Sequence, residues 1–199
     1  MMLSEVTTVP DAALPVEEFK AHLRLGSGFG TGSVQDVVLV SFLRAAVTAV
    51  EARTSKVLFE REFMAGFTVW RESAAQALPI APVSAVSNVV LVDRTGVRTD
   101  VGADTYWLER DMHCPRLRAV GTCLPPVPQA GMVEVVLTAG YGPAWTDIPA
   151  DLRQAVLLLA AHYYEYRDET ALSEGCMPFG VASLIERYKV VRLYGGGAR

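Results

Sequence analysis

Six prolines, at 79, 82, 115, 125, 126 and 128, lie between two segments of strong helical pattern, and they govern what this chain can become. A proline lacks the amide hydrogen that a helix interior or a strand ladder needs, so each must occupy an edge or a loop. The residues around them alternate instead of recurring every three or four positions. "LFEREFMAGFTVW" alternates over short runs, "VSNVVLVDRTGVRTDV" reads as strand, turn and strand, and "GMVEVVLTAGYG" as a further strand. In that last strand Val133, Val135 and Leu137 point one way, and Met132, Glu134 and Val136 the other. Residues 59–142 are expected to form a small β lobe.

Helical spacing rules on both sides. "LPVEEFKAHLRL" reads as a short amphipathic helix, with Pro15 suited to the first turn, Glu17 and Glu18 near its positive end, and Val16, Phe19 and Leu23 at helical spacing. "SVQDVVLVSFLRAAVTAVEARTSKVL" makes a longer one, opened by Ser33 and Asp36 in a capping arrangement, with Leu39, Phe42 or Leu43, Ala46 and Val50 inward. "DIPADLRQAVLLLAAHYYEYRDE" starts with Asp147 as its cap. Its inner face carries Leu152, Ala155 or Val156, Leu159, His162 or Tyr163, and Tyr166. After the turn "SEGCMPFG", "VASLIERYKVV" is a last short helix.

The expected class is α+β: a helical bundle of two N-terminal and two C-terminal helices with a small inserted antiparallel β lobe. In this reading residues 1–13 are a flexible N-terminal arm and 14–58 the N-terminal helices. Residues 59–142 are the insertion, 147–190 the C-terminal helices packing with 14–58, and 191–199 a tail.

Among the 199 residues, 51% are hydrophobic and 20% charged, enough for a substantial core and against extended disorder. The net charge of −4 argues against nucleic-acid capture, because tight DNA binders gain affinity from an excess of lysine and arginine. No run of about 18 apolar residues is present to span a bilayer. The N-terminus lacks the basic start and apolar stretch of a secretion signal. Three scattered cysteines, Cys114, Cys123 and Cys176, argue against a disulfide framework and point to synthesis in a reducing cytoplasm.

Candidate chemistry is thin. "GSGFGTGS" from Gly26 is glycine-rich, but no strand precedes it and no Gly-Lys-Ser/Thr ending follows, so it reads as a connector between two helices and not a phosphate cradle. His22, His113 and His162 share no metal-ligand spacing with the cysteines. Neighbours in an extended chain face opposite ways, which makes His113 and Cys114 a poor nucleophile–base pair. Glu165, Asp168 and Glu169 read as a solvated helix end, and His162 as a packing residue. Trp145 and "YYEYR" suit protein packing or a subunit interface. No catalytic residue, cofactor site or metal site is assigned.

Several linked motifs together carry a resemblance. "LPVEEFKAHLRL", "VEVVLTAGYG" and above all "DIPADLRQAVLLLAAHYYEYRDE" resemble the head–tail connector, or adaptor, proteins of long-tailed bacteriophages and of phage-like gene transfer particles. "ALPIAPVSAVSNVVLVDRTG" in the middle and "VASLIERYKVVRL" near the end agree in order, so the similarity runs from Leu14 to Leu193. The resemblance implies a structural protein of the virion neck, made in the bacterial cytoplasm. It would form a homo-oligomeric ring of about twelve copies between the portal protein and a stopper or tail-terminator protein. DNA would pass through its channel without sequence-specific binding, and no membrane is involved.

The resemblance also implies that the C-terminal segment engages the portal. Val191, Arg192, Leu193, Tyr194 and Arg199 are then the docking residues, with Leu193 and Tyr194 as anchors and the glycines between giving reach. Two other readings are open: a stopper or tail-completion protein of the same neck, and a small-molecule-binding or enzymatic α+β domain using His162 and Glu165.

Overall fold

Periodicity sorts the chain into two packed regions. A computed structural model describes residues 1–25, 34–166 and 177–189. In chain order the elements are β1 (Met2–Glu5), α1 (Val16–His22), α2 (Val34–Thr54), β2 (Arg61–Phe67), β3 (Ala75–Ala77), β4 (Val83–Val92), β5 (Arg98–Asp100), β6 (Tyr106–Glu109), β7 (Arg116–Ala119), β8 (Met132–Ala139), α3 (Ala150–Glu165) and α4 (Phe179–Ile185). The fold is α+β, as the sequence led us to expect.

The helices share one core. Phe19 of α1, Leu39, Leu43, Ala46 and Val50 of α2, Leu152, Ala155, Val156 and Leu159 of α3, and Val181 and Ile185 of α4 are all buried in it. Each recurs at three- or four-residue spacing, which places it on one helical face. The predicted inner face of α3 does not reach its end, because Tyr166 is exposed. Nor is Asp147 its cap. Pro149 occupies that position, and the Asp147 carboxylate instead accepts the Ala144 N–H at 2.9 Å inside the turn that leads into the helix. A proline there loses nothing, since its missing N–H would have no partner in a first turn.

A second core lies within the β region. Five strands form one antiparallel sheet in the order β1-β2-β8-β4-β5, and three form another in the order β3-β7-β6. Val133, Val135 and Leu137 of β8 are fully buried against Phe63, Ala65 and Phe67 of β2 and Val89 of β4, on the face that the alternation selected. The six prolines all lie outside the strands.

The N-terminal arm departs from expectation. It is not free: Met2–Glu5 pairs antiparallel with Phe63–Gly66 as an edge strand, and Val6 N–H donates to Glu62 O at 2.8 Å. Arg44 of α2 then ties the following turn down through Asp11 and the Val9 carbonyl, the latter at 2.7 Å. The physical reason is that β2 would otherwise present an unpaired edge, which these extended residues cover.

The two cores are stitched at the point where α2 ends. Val57 N–H donates to Ala81 O at 2.8 Å, and Glu60 N–H to Gly142 O at 2.8 Å. Phe59 stacks on Trp145 with centroids 6.1 Å apart. Gly140 adopts φ +137°, and a Cβ there would lie 2.4 Å from the Glu60 backbone, so only glycine lets the two chain segments cross this closely.

Candidate functional site

The residues that sequence reading offered for chemistry do not converge. Cys114 and His113 lie on an exposed loop, shaped by the Asp111 carboxylate, which accepts the Cys114 and His113 N–H groups at 2.6 and 2.7 Å. Those two amides hold the Asp111 carboxyl below the usual carboxylate range. Beside the loop is a hollow of about 290 Å³ lined by Ser55, Phe67, Arg71 and Gln76 together with His113 and Cys114. Beneath it Lys56 is buried, its Nζ donating to Met112 O at 2.6 Å. Loss of hydration lowers its pKa, while Cys114 and Asp111 pull the other way. Its geometry fastens the end of α2 to the 111–115 loop.

His162 sits on α3 with its ring 4.7 Å from that of Tyr166. Its Nε2 is buried with no hydrogen-bond partner among the described residues. Glu165 is exposed at the helix end, and no hydrogen bond or ion pair joins the two. His22 closes α1, and Cys123 is exposed in a loop far along the chain from Cys114. Among the described residues no three of His, Cys, Asp and Glu gather where they could hold a metal ion, and no helix is long and apolar enough to cross a membrane. The glycine-rich connector at 26–33 with Ser33, the acidic pair Asp168 and Glu169, Cys176, and the tail residues Val191, Arg192, Leu193, Tyr194 and Arg199 lie outside the described residues.

What the structure does build is surface relief. Asp11–Glu18 and Ala144–Thr146 enclose an open groove of about 550 Å³. Its floor is apolar, with Leu14 and Trp145 buried, and its rim carries Asp11, Glu17 and Glu18. Elsewhere, β6 and β7 pair with Trp107 opposite Arg118 and Glu109 opposite Arg116, so these four side chains share one face. The other face, with Tyr106 and Leu117, is buried. Trp107 is 47% exposed, and Arg118 lies diagonally against Glu109 at 2.7 Å. That ion pair raises the arginine and lowers the carboxyl. Of these surfaces the sequence had marked only Trp145 of the groove, as a packing or interface residue; the Trp107 face did not stand out. The signal available was the alternation of "YWLE" and "RLRA", each too short to read as a strand alone.

No protein-family model matches the chain, and no curated protein does. Solved structures do. A chain in the neck of an empty gene transfer agent particle, computed with C6 symmetry, is 52% identical with a TM-score of 0.89, covering 98% of this chain and 99% of its own. A chain of the native gene transfer agent virion is 50% identical with a TM-score of 0.86, and one of the native neck computed with C12 symmetry is 49% identical with a TM-score of 0.85. Each covers 98% of this chain and 99% of its own. These are particle components, and this chain is of the same class: a structural protein of a phage-like particle. It belongs to the family of neck proteins of gene transfer agent particles, whose place is the head–tail junction.

Proposed function

We propose that the chain is the adaptor of the neck, a ring-forming subunit seated between the portal and the stopper or tail-terminator protein, and that its ring extends the DNA channel. The observation that carries this reading is the shared core of α1, α2, α3 and α4 around a β insertion. It is the order of parts that the resemblance attributes to adaptors, whereas stopper proteins are dominated by β-structure. Neck assemblies computed with C6 and C12 symmetry, containing chains about half identical to this one, support a closed ring of about twelve copies. A mildly acidic subunit also suits a channel through which DNA must pass, since it offers no excess of cations to hold the phosphates.

In this reading Val191, Arg192, Leu193, Tyr194 and Arg199 form the portal-docking tail. Just before it in sequence the chain is fixed: Tyr188 Oη donates to Asp151 Oδ1 at 2.7 Å, and Arg187 Nε lies 3.0 Å from Asp151 Oδ2. The test is to mix purified protein with portal rings and image the products. Rings capped by a second tier are expected. Absence of binding, together with neck density in particles that fits another chain, overturns the proposal. Labelling the chain in tailless particles separates adaptor from stopper, because only the adaptor contacts the portal directly.

A further inference from the structure

We propose that the Trp107 face of one copy seats in the acidic groove of the next, forming the side-by-side contact of the ring. This rests on the ring reading above. A closed head-to-tail ring needs two different patches on each chain that complement one another, because every subunit offers one to its left and the other to its right. The described surface supplies such a pair.

On one side stands a projecting indole. Trp107 is flanked in register by Arg118, with Arg116 two positions along opposite Glu109, which pairs with Arg118 at 2.7 Å, on a sheet whose reverse face is buried. Tryptophan and arginine dominate the energetics of protein contacts, where a ring fills an apolar depression and guanidinium groups find carboxylates at the margin. On the other side is a depression of that kind. The groove of about 550 Å³ has an apolar floor of Leu14, Pro15 and Trp145 and three carboxylates at its rim, of which Asp11 is paired with Arg44 and Glu18 accepts the Trp145 indole N–H. Glu17 pairs with Lys20 at 2.9 Å yet keeps 82% of its side chain exposed, so its remaining lone pairs are open to a further donor. Apolar ring meets apolar floor, and Arg116 meets Glu17.

The experiment is assembly on portal rings, read by electron microscopy and by the concentration at which half the rings carry a full second tier. Trp107→Ala and Arg116→Glu on the projecting face, and Glu17→Arg on the groove, are each expected to raise that concentration about tenfold or more, as loss of an anchor at an interface does. Combining Arg116→Glu with Glu17→Arg in one chain reverses both partners of every contact and is expected to restore assembly. Thermal melting of each variant shows that the fold is kept, and Glu17→Arg lies on an exposed side chain while Arg116 is half-buried, so at least one arm remains readable. Unchanged assembly by all three single variants, or no recovery in the combined one, overturns the contact. Wild-type protein that docks on portals as scattered single copies overturns the ring itself, a result distinct from failure of the variants alone.

Discussion

Trp145 donates its indole Nε1 hydrogen to the Glu18 carboxylate across 2.8 Å, joining residues 127 positions apart, while its ring stacks on Phe59. Three chain regions meet there: the first helix, the passage from helix to sheet, and the approach to α3. Trp145→Phe keeps an aromatic ring and removes the donor. Because the bond is to a charged acceptor and is partly buried, the loss is expected to be about 2 kcal/mol, measured as a lower urea midpoint with an unchanged slope.

Arg61 offers a stronger test of how the N-terminal arm is held. Its side chain is 9% exposed and lies 2.8 Å from Glu51 of α2 and 2.8 Å from Glu5 of β1. Burial opposes its charge, but the two carboxylates outweigh that and hold the guanidinium above the usual arginine range. Arg61→Ala leaves two acids facing each other without their cation and is expected to cost about 3 kcal/mol or more. Arg61→Met, which fills the space, should cost less. Chemical denaturation of both variants decides it.

Gly140→Ala is expected to destabilise the protein by about 2 kcal/mol or more, since the added Cβ meets the Glu60 backbone at 2.4 Å and the residue must hold φ +137°. Gly96, whose φ is also positive but whose Cβ would meet nothing, is the control. Its alanine variant should lose clearly less in the same melting experiment.

Tyr141 gives the protein an alkaline limit. Its hydroxyl is buried without a hydrogen-bond partner among the described residues, and burial first, then Tyr188 and Asp151, push its pKa up to about 12, against a weaker pull from Arg187. The folded state therefore keeps the proton that the unfolded chain gives up near pH 10. The stability it contributes is whole below pH 10 and is lost as pH rises toward 12. Tyr141→Phe should flatten that part of the stability–pH curve. Lys56 acts with the opposite sign: its lowered pKa makes stability rise with pH below the ordinary lysine value, so Lys56→Met should remove that rise.

Deleting residues 191–199 is expected to abolish capture by portal rings while shifting the melting temperature by no more than a degree or two, because both cores and the Tyr188–Asp151 contact remain. A truncated chain that still docks removes the tail from the portal contact.

Local pattern alone marked the helices of this protein and most of the faces they bury, the end of α3 at Tyr166 excepted. Leu39, Leu43, Ala46 and Val50 announce their side of α2 because one turn of helix brings them into line, and Val133, Val135 and Leu137 do the same for β8 because a strand alternates. Linked motifs of this kind also carried the family. Tertiary structure decided the rest. Met2–Glu5 becomes a strand only because β2 presents an edge, Lys56 is buried only because the 111–115 loop folds over it, and Asp147 shapes a turn because the chain doubles back at Gly142. The groove and the Trp107 face belong to this second group. The groove joins segments far apart in the chain, the Trp107 face rests on the pairing of two short strands, and a sequence records the period of its own side chains but not the identity of the surface that will meet them.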